Sequence, residues 1–272
     1  MKNHQGHTAL VTGASAGIGA AFARVFAQNG FDLVLTARRL TQLEALALEV
    51  EREHGVKAHV IVADLADPKA PQRIFDELEE EGITIDALVN NAGYGVPGLY
   101  RQVKWRTHRD FIQVLLTAPA HLVHLFEPGM TARGYGRIIN VASLAGLAPP
   151  SAGHTLYGAV KAFMIRFSQA HALEHEGTGV HVTALCPGFT YSEFHDVSGA
   201  RRIVGKLPKF MWMEADEVAR QGFDAVMRGD PVYINGKVNR FIAFISRYLP
   251  DWLTARITRA QSHKFRITDA KP

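Results

Sequence analysis

Up to residue 188 the chain alternates between two patterns of apolar positions. Short apolar runs occur at TALVT (8–12), FDLVLTA (31–37), HVIVADL (59–65), IDALVNNAG (85–93), GRIINVAS (136–143) and VHVTALCPG (180–188). They are nearly continuous rather than alternating, which predicts strands covered on both faces. Between them apolar residues return every three or four positions, predicting helices over Gly19–Asn29, Thr41–His54, Pro71–Glu81, Arg109–Arg133 and Tyr157–Glu176. Strand then helix, repeated, predicts an α/β protein with a doubly wound parallel sheet and right-handed crossovers. PVYING (231–236) predicts a last short strand, and residues 190–213 lack periodicity and read as a long loop or lid. Residues 1–236 thus form the expected domain, with 237–272 as its C-terminal extension.

Composition narrows the class. A chain of 272 residues, 47% apolar, favours one large domain with a sizeable core. The net charge of +4 is mild, and no dense Lys/Arg run with interleaved aromatics points to a nucleic acid partner. Cys186 is the only cysteine, so no internal disulfide forms, and a reducing, cytoplasmic compartment fits. The start, MKNHQGHTALVTG, carries no apolar leader, and no run reaches the roughly 18 apolar residues of a membrane span.

The first strand runs into Gly13-Ala14-Ser15-Ala16-Gly17-Ile18-Gly19, and a helix follows. Glycines let backbone turn sharply and approach a pyrophosphate, while the helix N-terminus offers free N–H groups to the anion. The spacing, G-x3-G-x-G, departs from the commoner dinucleotide fingerprint, so the flanking strand and helix carry the reading. At the end of the second strand an NAD site would place an acid for the ribose 2′-OH. This chain has Ala37, then Arg38 and Arg39, which favours a 2′-phosphate and so NADP(H) over NAD(H). Asp64, with Leu65 beside it, closes the third strand. It has two readings: acceptor for the adenine amino group, or cap of the next helix.

Taken together, TGASAGIG (12–19), NNAG (90–93), Ser143 in IINVASLAG, YGAVK (157–161) and PGFT (187–190) resemble the classical short-chain dehydrogenase/reductase family in order and spacing across residues 8–190. The resemblance implies a Rossmann-type sheet of about seven strands in the order 3-2-1-4-5-6-7. It implies nicotinamide-dependent carbonyl/alcohol chemistry on a small-molecule substrate. It also implies a homodimer or homotetramer, often built on the two long helices, here 109–133 and 157–176. Asn91 is read as structural, with Ala92 and Gly93 making room for the cofactor ribose. Pro187 and Gly188 lead to Thr190 as the expected partner of the nicotinamide carboxamide.

Tyr157 and Lys161 stand four apart, so their side chains share a helix face. A nearby ammonium favours the phenolate, typically by roughly 1–3 pKa units, which predicts a tyrosine able to exchange a proton with substrate. Ser143 would hydrogen-bond the substrate oxygen. The resemblance adds that Lys161 holds the nicotinamide ribose.

One position departs from the family. Leu115, in IQVLLTAP, stands where many members carry an asparagine that seats a water beside the lysine. Leucine cannot hydrogen-bond that water. Three readings follow: the relay runs through another group such as Gln113 or a histidine, proton return is slower, or catalysis is lost, leaving a NADP-binding interaction protein. Pro119 is expected to kink the helix and free a carbonyl.

Phe189, Tyr191, Phe194, Phe210, Met211, Trp212 and Met213 suit a bulky, mainly apolar ketone or aldehyde, or simply pack the lid onto the body. Arg201, Arg202 and Lys206 read as solvated lid charges. Residues 237–266 combine Phe241, Phe244 and Tyr248 at helical spacing with Lys237, Arg240 and Arg247. This pattern fits a peripheral membrane contact, a subunit contact or a wall of the site. His121/His124 and His171/His175 have helical spacing, but no third ligand is evident in the sequence, so no metal is expected.

Overall fold

The apolar runs assemble into one parallel sheet in the computed structural model of the chain, which describes residues 4, 6–96, 98–150, 152–153, 155–191, 208–250, 253 and 256. Its strands are β1 (Thr8–Thr12), β2 (Asp32–Ala37), β3 (Ala58–Val62), β4 (Ala87–Asn90), β5 (Gly136–Val141), β6 (Val180–Cys186) and β9 (Val232–Ile234). They lie in the order β3-β2-β1-β4-β5-β6-β9. This is the order the resemblance implies, with every adjacent pair parallel. The order reverses between β1 and β4, where the chain turns from one half of the sheet to the other and opens a crevice at the strand ends.

Helices cover both faces, which is why the strand runs are apolar throughout. On one side lie α1 (Gly17–Gln28), α2 (Leu40–His54) and α7 (Ala215–Arg228). Phe26 packs edge-on against Phe31 and Phe223, with ring centroids 5.0 and 5.1 Å apart. Such pairs add about 0.5–1.5 kcal/mol each beyond area burial. On the other side lie α3 (Ala70–Glu80), α4 (Trp105–Ile112), α5 (Ala118–Arg133) and α6 (Thr155–Glu174). Gly134 ends α5 at φ +67°, a left-handed turn that glycine adopts without strain.

Three expectations are corrected. The helix read as Arg109–Arg133 begins at Trp105 and is interrupted by a wide π-type turn over Gln113–Thr117, where Ala118 N–H reaches Gln113 O. Pro119 has no N–H to close an ordinary turn onto the Leu115 carbonyl, so the ladder widens there instead of simply kinking. The span 190–213 is not a loop throughout. Its ends pair as β7 (Phe189–Tyr191) and β8 (Trp212–Glu214), a separate two-stranded parallel sheet, while Phe194, Arg201, Arg202 and Lys206 lie outside the described residues. Helix α7 was absent from the sequence reading; its apolar residues Val218, Ala219, Gly222, Phe223 and Val226 form its buried stripe.

Helix α8 (Lys237–Tyr248) follows β9 directly. Among the described residues no helix is long and apolar enough to cross a membrane.

Candidate active site

A cavity of about 1540 Å³ opens above the reversal point of the sheet. That exceeds the roughly 300–1,000 Å³ of an ordinary small-molecule pocket. Its walls come from chain segments as far apart as Gly13 and Ile242.

One end is built by the first turn. Gly13 has φ +67°, and a Cβ there would stand 2.9 Å from Ala92 Cα. Gly13, Ser15, Ala16, Gly17 and Ile18 line the cavity. Gly19 stands just behind them, outside the cavity lining. A Cβ on Gly19 would lie 2.2 Å from Gly13 O, so this glycine packs the helix against the turn. Helix α1 starts without a side-chain cap and with no acid in its first turn. Its N-terminal N–H groups and partial positive charge are therefore suited to an anion.

Arg38 and Arg39 sit exposed at the cavity lip and do different things. Arg39 donates to Ser15 Oγ at 3.0 and 3.2 Å and so braces the glycine turn. Arg38 lines the cavity beside Ala37, with no acid ending β2. Asp64 and Leu65 line it from the end of β3. Asp64 Oδ1 accepts from Ala66 N at 3.0 Å, while Asp67 serves the start of α3, accepting from Lys69 N at 2.9 Å. Neither acid caps α3, which starts behind Lys69 with no side-chain cap, so the helix-cap reading of Asp64 is corrected. A nicotinamide dinucleotide fits these residues, with its phosphates on the uncapped helix start.

Asn91 is bound into the sheet. Its amide donates to Thr12 O at 2.9 Å, and its backbone N–H donates to Thr12 Oγ1 at 2.9 Å. Ala92 and Gly93 line the cavity beyond it, with Leu115 across from Gly93. Leu115 is 2% exposed and contributes an apolar wall.

Ser143 follows β5 and is pinned by β6. The neighbouring amides Ala142 N and Leu144 N donate to Leu185 O (2.7 Å) and Pro187 O (2.9 Å). Ser143 Oγ accepts from Ala145 N at 3.1 Å, and the Ser143 hydroxyl lies beside Tyr157 on the cavity wall. Lys161 is 7% exposed; its Nζ lies 5.7 Å from the Tyr157 ring centroid and donates to Val141 O at 2.7 Å. Ser143, Tyr157 and Lys161 therefore meet on the cavity wall.

Their electrostatics differ from the sequence expectation. Tyr157 is held above the usual phenol range by burial, and the Ser143 hydrogen bond pulls against that rise. Burial pushes Lys161 down to about 8, partly opposed by Cys186, whose buried thiol is itself pushed up to about 12. The lysine was expected to lower the phenol. It lies over the ring and spends its Nζ on the Val141 carbonyl, and desolvation dominates both groups.

At the far end Pro187, Gly188 and Thr190 line the cavity, and Thr190 Oγ1 donates to Gly188 O at 3.3 Å. Of the described apolar lid residues, Phe189 and Met211 reach the cavity. Trp212 instead stacks on Tyr191 at 4.9 Å, and Phe210 is 70% exposed. Tyr94 and Asn239 are wall residues that the sequence analysis does not single out. Tyr94 directly follows NNAG, which is a usable signal, whereas Asn239 is brought in only by the docking of α8. Ile242 also lines the cavity, in the 237–266 stretch for which a wall of the site is one of the readings.

Comparison with known proteins follows the same lines. Residues 7–202 match the family described as short chain dehydrogenase. Sulfoacetaldehyde reductase 2 of Chromohalobacter salexigens is 37% identical over 187 residues, 68% of this chain and 73% of that protein. A solved short-chain dehydrogenase from Sphingobium yanoikuyae in complex with NADPH is 32% identical, with 98% of each chain covered and a TM-score of 0.78. The bulky-bulky ketone specific alcohol dehydrogenase from Comamonas testosteroni is 30% identical, covering 98% of this chain and 96% of that one, with a TM-score of 0.74.

Proposed function

This chain belongs to the short chain dehydrogenase family and is an NAD(P)-dependent oxidoreductase, and from that premise we propose that it is an NADPH-dependent reductase of bulky, mainly apolar ketones or aldehydes. The observation that carries the reading is the convergence of Ser143, Tyr157 and a buried Lys161 on one wall of a cavity with an anion-suited helix start at its other end. Reduced nicotinamide, when bound, supplies hydride. Tyr157 donates the proton to the carbonyl oxygen, and Ser143 holds that oxygen as negative charge develops on it. A phenol raised by burial is protonated at neutral pH, which is the form reduction requires. Lys161, with a pKa of about 8, stays mainly charged at pH 7 and offsets the phenolate left behind.

The substrate class follows from the wall. Val114, Leu115, Leu144, Phe189, Met211 and Ile242 give it little to hydrogen-bond with and much apolar surface. The likeness to a dehydrogenase specific for bulky-bulky ketones supports the same choice. Leu115 leaves the reading intact, because Ser143, Tyr157 and Lys161 meet in the cavity with leucine as part of its wall.

The test is Tyr157→Phe. Turnover, followed as NADPH oxidation with a panel of bulky ketones, should fall about 10²–10⁴-fold while NADPH affinity stays nearly unchanged. Undiminished turnover would reject the proton role.

Assembly forms part of the proposal. A homodimer or homotetramer through α5 and α6 is consistent with Leu173 and Phe163, 69% and 38% exposed on α6. Sedimentation velocity reads it directly. Peripheral membrane contact runs through the outward stripe of α8, where Phe241, Phe244 and Tyr248 are 63%, 61% and 66% exposed. The helix carries Lys237, Arg240 and Arg247 and no acid, which suits an anionic surface. The wild type should float with anionic vesicles and the Phe241→Glu/Phe244→Glu variant should not; equal flotation of both removes the contact.

A further inference from the structure

Two histidines on one helix and a glutamate on the next come together well away from the cavity. His171 lies in the last turn of α6, and His175 continues that turn, its N–H reaching His171 O at 3.1 Å. Glu127 reaches them from α5. One donor atom from each of the three residues lies within 4.8 Å of the other two. The sequence offered no third ligand for this histidine pair; the packing of α5 beside α6 supplies it.

His175 is 6% exposed, and its Nε2 is buried with no hydrogen-bond partner among the described residues. Glu127 Oε1 is only 3.1 Å from that nitrogen, close in distance but not aligned as a hydrogen bond. A buried polar atom left this way is costly, typically about 1–3 kcal/mol. Two donors on a tetrahedral zinc ion stand roughly 3.3 Å apart, so the pair already has the spacing of two ligands aimed at a common third atom. The other ring nitrogen is supported. Thr178 Oγ1 donates to His175 O at 2.8 Å, which leaves its oxygen to accept from His175 Nδ1 at 3.4 Å. In the tautomer that donates from Nδ1, this contact steadies the ring while Nε2 carries the lone pair a metal ion needs. His171 is steadied by Phe167, with ring centroids 4.6 Å apart, and its Nδ1 is buried without a partner.

We propose that Glu127, His171 and His175 bind a divalent transition-metal ion of the zinc class, with water completing the coordination. Two imidazoles and a carboxylate suit Zn²⁺, whereas Mg²⁺ and Ca²⁺ require mainly oxygen donors. His171 stands 14 residues beyond Tyr157, roughly 21 Å along the helix axis, and none of the three ligands lines the cavity. The ion is therefore a clamp between α5 and the far end of the helix that carries Tyr157 and Lys161, not a participant in the chemistry.

The experiment is calorimetric titration of Zn²⁺ into the metal-stripped, tag-free full chain. One ion should bind per chain. His175→Gln and Glu127→Gln should each weaken binding at least tenfold, and Thr178→Val about tenfold. His59→Gln should bind as the wild type does; this control breaks the separate His59, Glu77 and Glu81 cluster. Bound Co²⁺ should give a visible absorption band that Glu127→Gln alters. If His175→Gln proves unfolded by circular dichroism, the partly exposed Glu127 decides the matter alone. No binding by the wild type, or binding unchanged in Glu127→Gln, overturns the site.

Discussion

Lys161 places an ammonium where only 7% of the residue is exposed, and burial lowers its pKa from 10.5 to about 8. The sign of the consequence is fixed. Between pH 8 and 10.5 the unfolded chain holds the lysine proton and the folded chain releases it, so stability rises with pH through that window. Below about pH 8 the penalty is fully present, on the order of 3 kcal/mol by linkage. Lys161→Met should therefore be more stable than wild type at pH 7, by about 1–3 kcal/mol once the lost Val141 hydrogen bond is subtracted. The gap should close as pH approaches 10.5, while turnover is lost throughout. Urea unfolding of both proteins at pH 7 and pH 10 measures it; a gap independent of pH would show that the lysine is not desolvated. The convergence of Tyr157 and Lys161 was legible in YGAVK from helix geometry alone. The direction of the tyrosine shift was not, because it depends on burial that only the folded cavity creates.

Ser143 comes from the end of a strand and Tyr157 from the start of a helix, so the two elements must be locked together. Gly146 provides the lock. A Cβ there would stand 2.6 Å from Lys161 C and 2.8 Å from Ala162 N, both backbone atoms that cannot swing aside. Gly146→Ala should push α6 away from the Ser143 loop. Overpacking of this kind costs about 1–3 kcal/mol. Turnover should drop by a larger factor than NADPH affinity, because the approach of Tyr157 to Ser143 is what the displaced helix disturbs. Steady-state kinetics beside a cofactor titration check this, and a parallel loss in both would point to general unfolding. Nothing in the sequence singled out Gly146, since its neighbour is 15 residues away and reached only through packing. The wide turn at Gln113–Thr117 was hidden for a different reason. Apolar residues at 111, 114, 115, 118 and 122 run through it at helical spacing, so periodicity reads one unbroken helix. The strands and the crossover helices before residue 112 were legible because each buried stripe is local. Helix α7 is just as amphipathic but was passed over beside the lid.

At the scale of the molecule, the cavity is bounded by the first turn, the end of β3, the Ser143 loop, α6 and α8. A ligand filling it therefore holds both halves of the sheet and the C-terminal helix together, and its binding energy becomes global stability. NADPH at a hundred times its Kd should add about 2.7 kcal/mol, or roughly 5–10 °C in Tm for a chain of this size. The two arginines at the lip separate the contributions. Arg38 lines the cavity without bracing the glycine turn, so Arg38→Ala removes a phosphate contact worth about 1.5–3 kcal/mol. At the same NADPH concentration its Tm shift should fall below half that of the wild type, while the smaller shift with NADH stays unchanged. Arg39 braces Ser15, so Arg39→Ala loosens the turn itself and should reduce the NADPH and NADH shifts alike. Thermal unfolding of the three proteins with each dinucleotide reads all of this at once. Equal loss of both shifts in Arg38→Ala would mean that its guanidinium does not meet a 2′-phosphate, and would undo the proposed preference for NADPH.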